Sequence, residues 1–370
     1  MPITETKVKK HKGLKVLGII LGVILIIALA AIIFISVVTK PVDDKYENAV
    51  AVGGMLTSDT IEYQSESAKG LEKDPVIKLM QMVWKFCCDG DTKKHEKQTP
   101  PEVDAVYDIP YINDSNRYHT LDVYSPLGNT EKLPVIIDIH GGGWMYAEKD
   151  LNEYYCRALA DRGFTVFNVS YRLVPDVTVN EQIQDVAEAL KWIQENLSEY
   201  PCDESNIMLT GDSAGGQLAV YSAVLLQSPE LREIFSAVDA GMDVDALLLT
   251  SPVPYMNDGI LSVYTRLLWG KDYKNKPTYN YMNLDQIIDY ADLPPTYLIT
   301  SSGDSLAHSQ TNKTAELLES KGVECTLRDY EKYNGKSLPH VFSVLEPFDE
   351  IGTQTIDDAA AFYRDVINNK

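Results

Sequence analysis

Five consecutive residues carry the sharpest chemical signal in this 370-residue chain: Gly211-Asp212-Ser213-Ala214-Gly215. This G-x-S-x-G follows the apolar run NIMLT (206–210) and precedes the helical pattern QLAVYSAVLL (217–226). A serine at a sharp strand-to-helix turn projects its hydroxyl from the C-terminal edge of a sheet, where a nucleophile is needed. The flanking glycines remove side chains where such a turn crowds its neighbours, and the helix N-terminus behind Ser213 favours developing negative charge. Acyl transfer also needs N–H donors aimed at the tetrahedral oxyanion. His140-Gly141-Gly142-Gly143-Trp144 follows the apolar run PVIIDI (134–139), and its side-chain-free backbone can approach a reacting carbonyl. Gly141, Gly142 and Ala214 are the candidate donors.

A sheet of this kind orders its nucleophile, acid and histidine along the chain in that sequence. Of six histidines only His308 and His340 follow Ser213. Asp304 ends the strand-like TYLITSSGD (296–304), the right location for the acid. His308, four residues beyond it, reads as a surface residue in the first turn of a helix, which leaves His340 in the loop SLPHVF as the base. Asp304 would hold its imidazole in the productive tautomer and stabilise the imidazolium. Asp329 and Glu331, at the end of the next strand, are rival acids.

The elements that must position these residues are legible as β-rich runs at 119–125, 134–140, 164–170, 206–211, 246–251, 296–301 and 324–330. Helical patterns lie at about 150–162, 181–198, 215–227, 308–321 and 355–368. Fully apolar strands alternating with amphipathic helices predict an α/β fold, a mostly parallel sheet covered on both faces. Residues 39–100 read as a stalk and cap helices, with one amphipathic stretch at Pro75 to Phe86, and 101–370 as the catalytic domain. Residues 253–293 are longer than an ordinary connection and read either as a lid insertion or as a crossover helix with long flanks. A site roofed by these two segments would be an enclosed apolar pocket, with Trp144, Met145 and Met256 as its lining candidates.

Before the domain, Val16 to Val38 run 23 residues without a charge, a helix of about 35 Å. Five lysines precede this run, so the expectation is a transmembrane signal anchor at 16–38, a basic cytoplasmic tail at 1–15 and an extracytoplasmic domain. The alternative is a signal peptide cleaved near Ala30, after which the protein would be secreted. The formal charge of −21 makes nucleic-acid binding an expected absence. The five cysteines have no metal-type spacing and their disulfide pairing stays open. Neither a dinucleotide fingerprint nor a phosphate loop nor H-E-x-x-H is present, so no cofactor and no metal are expected. The oligomeric state is left open.

HGGGW, GDSAGG, VSYRLVPD, the LPP before the acid-bearing strand, GDSL and PHVF together resemble the hormone-sensitive-lipase family of α/β-hydrolases, over roughly residues 101 to 370. The resemblance implies a serine esterase acting on small-molecule esters of short acyl or acetyl groups, with Ser213, Asp304 and His340 as triad, Gly141, Gly142 and Ala214 as oxyanion donors, and N-terminal helices in a cap. Members commonly carry a second acid where this chain has His308. Two other readings are a serine peptidase or amidase of the same fold, and a non-catalytic binding protein built on it. Hydrolysis of an ester against its matching amide separates the first, and labelling of Ser213 by a fluorophosphonate the second.

Overall fold

The computed structural model describes residues 64–258 and 262–370. The basic tail, the apolar stretch 16–38 and the first part of the stalk lie outside the described residues. Among the described residues no helix is long and apolar enough to cross a membrane.

Eight strands form one sheet: β1 (Val103–Pro110), β2 (Thr120–Pro126), β3 (Leu133–Ile139), β4 (Thr165–Val169), β5 (Cys202–Asp212), β6 (Ala246–Thr250), β7 (Thr296–Ser301) and β8 (Cys325–Tyr330), in the order β1-β2-β4-β3-β5-β6-β7-β8. β2 runs antiparallel to both β1 and β4, and from β4 through β8 every neighbouring pair is parallel. Because side chains alternate along a strand, each central strand feeds two cores. Val135, Ile137 and Ile139 of β3 join the core under α3 (Val179–Asn196) and α4 (Ser213–Gln227), whereas Ile136 joins the core under α2 (Glu153–Asp161) and α9 (Glu350–Asn368). Two buried faces explain why β4, β6 and β7 are buried at every position and are mostly apolar with no polar alternation.

α1 (Pro75–His95) is longer than the expected 75–86 stretch. Asp74 caps it by accepting from the N–H of Val76, proline occupies its first turn, and Lys93, Lys94 and His95 complement the negative end of its dipole. Residues 253–293 hold the short α6 (Ser262–Thr265) and then a series of 3-10 turns from Leu267 to Tyr290. Leu268, Trp269, Met282, Leu284 and Ile287 of this stretch are fully buried, and Tyr221 of α4 donates to the Tyr281 carbonyl at 3.0 Å. The remaining helices are α5 (Pro229–Phe235), α7 (His308–Ser320) and α8 (Phe342–Leu345).

Candidate active site

β5 ends at Asp212 and α4 begins at Ser213, which sits at φ 51°, in the left-handed region that a non-glycine residue rarely adopts. The turn lies so close to the sheet that a Cβ on Gly215 would be 1.9 Å from the Ile139 carbonyl oxygen, so only glycine fits there. His340 Nε2 lies 2.9 Å from Ser213 Oγ, and His340 Nδ1 lies 2.8 Å from Asp304 Oδ2. The other Asp304 oxygen accepts the N–H groups of Leu306 and Ala307 at 3.0 and 2.9 Å. Burial pushes this carboxyl up, but hydrogen bonds from His340, Ala307 and Ser251, with the His340 charge, outweigh it and hold Asp304 below the usual carboxylate range. The loop carrying His340 is pinned to β7 by Ser301, whose hydroxyl donates to the Leu338 carbonyl at 2.7 Å.

The rival acid Asp329 is engaged elsewhere: its Oδ2 lies 2.8 Å from Nε2 of His308. Glu331 is exposed, and its backbone carbonyl accepts from the Ser302 hydroxyl. The two histidines thus divide between the two aspartates, and the pair that includes His340 is the one that reaches Ser213.

The glycine loop requires a correction. The N–H of Gly141 donates to Asp212 Oδ1 at 3.0 Å, so this group is not free to meet an oxyanion. Among the described residues, the N–H groups of Gly142, Gly143 and Ala214 have no protein acceptor. By this geometry Gly142, Gly143 and Ala214 are the candidate donors. Asp212 is itself held by Asn152, whose amide donates to it at 2.8 Å and to Asp138 at 2.9 Å. Burial pushes Asp212 up to about 6, against the hydrogen bonds from Asn152 and Gly141 and the charge of His340. On the other side of the loop, the His140 ring stacks on Tyr171 at 4.4 Å with its Nδ1 2.8 Å from the Gly141 carbonyl, and Tyr171 donates to the His140 carbonyl at 2.7 Å. Burial lowers the His140 pKa to about 4, so this ring is a neutral brace. Asn152 and Tyr171 were not singled out as site residues from the sequence. Tyr171 lies in the VSYRLVPD motif, but Asn152 carries no local signal at all.

The three pocket candidates, Trp144, Met145 and Met256, are buried to 2% exposure or less, within the core under α3 and α4. Trp144 spends its indole N–H on Gln217 of α4, at 2.9 Å. Tyr146, two residues further along the loop, stacks on Trp84 of α1 with ring centroids 5.7 Å apart.

A serine at a strand-to-helix turn, a histidine bridging it to a buried aspartate, and three free N–H groups beside it on a mostly parallel sheet define an esterase of the α/β-hydrolase class. The chain belongs to the BD-FAE family, whose model matches residues 121–322, more than half of its length. Carboxylesterase NlhH of Mycobacterium tuberculosis is 26% identical over 284 residues, which cover 69% of this chain and 85% of that enzyme. Versiconal hemiacetal acetate esterase of Dothistroma septosporum is 33% identical over 120 residues, 32% of this chain and 37% of that one. The crystal structure of esterase B from Lactobacillus rhamnosis, inhibited by a tributyrin phosphonate, matches with a TM-score of 0.75 at 29% identity, over 80% of this chain and 97% of that one. The protein is a serine carboxylic-ester hydrolase.

Proposed function

We propose that Ser213 Oγ attacks the ester carbonyl while His340 Nε2 takes its proton, and that Asp304 orients the imidazole and stabilises the imidazolium. The N–H groups of Gly142, Gly143 and Ala214 receive the oxyanion. Collapse of this intermediate breaks the bond to the alcohol, whose oxygen takes the proton from His340. Water, activated by the same histidine, then releases the acid from Ser213. The observation that carries this reading is the unbroken contact from Asp304 through His340 to Ser213, at 2.8 and 2.9 Å. The likeness to hormone-sensitive-lipase enzymes in HGGGW, GDSAGG and PHVF agrees with it.

The preferred acyl groups are short, of roughly two to eight carbons. α1 lies over the glycine loop, and each buried methylene adds only about 0.8 kcal/mol, so selectivity comes from where the acyl space ends. Across p-nitrophenyl esters of increasing length, kcat/KM should peak among the short chains and fall steeply beyond them. Preferential hydrolysis of emulsified long-chain triglyceride refutes this.

The catalytic domain is proposed to stand outside the cytoplasm, tethered by the uncharged stretch 16–38, on the strength of its hydropathy and the lysines before it. Protease added to whole cells should then degrade residues 41–370. Protection of the domain reverses the orientation, and a mature chain beginning near Ala31 shows a cleaved signal peptide instead.

A further inference from the structure

α1 lies outside the stretch matched by the family model, yet Trp84 packs on the glycine loop and Asp91 accepts from Tyr146 just beyond it. Trp84 and Asp91 are seven residues apart, two turns along one face of the helix. At one end, a Cβ on Gly143 would lie 2.5 to 2.9 Å from Cε2, Cζ2 and Nε1 of Trp84, so the indole rests on the loop that carries the free N–H groups. Its Nε1 is buried and has no acceptor. At the other end, Lys94, three residues beyond Asp91, stands 3.9 Å from Glu346 Oε2 and Gln98 donates to the Leu345 carbonyl at 2.8 Å, so this end of α1 lies against the segment that follows His340. Asp91 Oδ2 accepts from the Tyr146 hydroxyl at 3.0 Å, and Lys94 Nζ stands 4.0 Å from its Oδ1. Tyr146 stacks on Trp84, so the aromatic pair and the carboxylate are one connected group.

The direction of the reaction assigns this group a side. The acyl oxygen points to Gly142, Gly143 and Ala214, and the departing oxygen must lie at His340 Nε2, which protonates it as the C–O bond breaks. Whatever is attached to that oxygen meets the side of the site where Asp91 stands. A carboxylate only accepts hydrogen bonds, and the indole N–H only donates one. A plain alkyl group leaves the indole N–H without an acceptor and adds no donor to Asp91 beyond Tyr146, whereas a hydroxylated alcohol offers a further donor to Asp91 and an acceptor to Trp84 and presents C–H faces to the rings.

We propose that α1 supplies the subsite for the leaving alcohol, with Trp84 and Asp91 as specificity residues, and that the alcohol it fits carries a free hydroxyl close to the ester oxygen, as glycerol or a sugar does. This rests on the esterase reading above.

The test holds the acyl group constant. With the full chain in detergent, kcat/KM is measured on n-propyl butyrate, glycerol 1-butyrate and 6-O-butyrylglucose. The wild type should prefer at least one hydroxylated ester by tenfold or more, and which one is preferred tells glycerol from sugar. Asp91→Ala should cut that preference at least tenfold, and Trp84→Phe, which keeps a ring but loses the N–H, by a smaller factor. Asp91→Asn, close in size, serves if the alanine variant melts early, and it should also lower the ratio. A wild-type ratio near one, an unchanged ratio in the variants, or an equal loss on all three esters overturns the proposal, the last because it would mark Asp91 as a support for His340 alone. If propyl butyrate is not hydrolysed either and Ser213 takes no fluorophosphonate label, it is the esterase reading that has failed.

Discussion

Ser213→Ala should lower kcat on p-nitrophenyl butyrate by on the order of 10⁴-fold or more, with the melting temperature close to that of the wild type. Among the described residues, the oxygen lost is the only one that His340 Nε2 contacts, at 2.9 Å, and without it no acyl-enzyme forms. The fold should survive, because Ser213 contributes a small side chain to a turn whose geometry is set by Gly211 and Gly215. Alanine at φ 51° is no worse placed than serine. Residual turnover should remain above the uncatalysed rate, since Gly142, Gly143 and Ala214 still present their N–H groups to a carbonyl attacked by water. The second expectation is non-additivity. Groups that act as a unit lose nearly everything at the first deletion, so adding His340→Ala to Ser213→Ala should cost little more. Activity retained by Ser213→Ala, or losses that multiply in the double variant, would show that the serine is not the nucleophile.

The parts of this site that were legible in the sequence are those fixed by local chain geometry. The sharp turn at Ser213 was legible because an apolar strand, two glycines and a helix occur in that order around it. The pairing of Ser213 with His340 was legible because chain order left one alternative, His308. The central strands could be read because both of their faces are buried, so Ile136 and Ile137 are both apolar although they point into different cores. β1 was missed for the converse reason. It is an edge strand paired only with β2, and Asp104, Tyr107 and Asp108 lie exposed along it. The bond made by Gly141 has another origin. Which glycine N–H is free depends on a side chain 71 positions away, Asp212, bending back to take the first one. Likewise nothing in the sequence shows that the Trp144 indole bonds Gln217, or that the ring meeting Gly143 comes from α1. Contacts that join distant segments leave no periodicity to read.

The same distinction between order and contact governs the acid. Asp304→Asn should lower kcat by roughly 10³- to 10⁴-fold, whereas Asp329→Asn and His308→Ala should each stay within about twofold of wild type. Asp304 Oδ2 accepts from His340 Nδ1, which forces the proton onto Nδ1 and leaves Nε2 free to receive the proton of Ser213. An asparagine amide turned to donate at this position reverses the tautomer, and Nε2 then carries a proton where an acceptor is needed. The backbone around it should hold, because the asparagine oxygen can still accept from Leu306 and Ala307, so the defect falls on the imidazole and not on the loop. Asp329 and His308 make a contact of the same length, 2.8 Å, but both side chains are about one-third exposed. A pair so open to water contributes on the order of 1 kcal/mol or less to stability and has no link to Ser213. Assays of the three variants at pH 7 to 8 on one short ester, each with its melting temperature, decide the assignment. An active Asp304→Asn beside an inactive, folded Asp329→Asn would move the acid to the neighbouring strand, and an inactive His308→Ala would move the base with it.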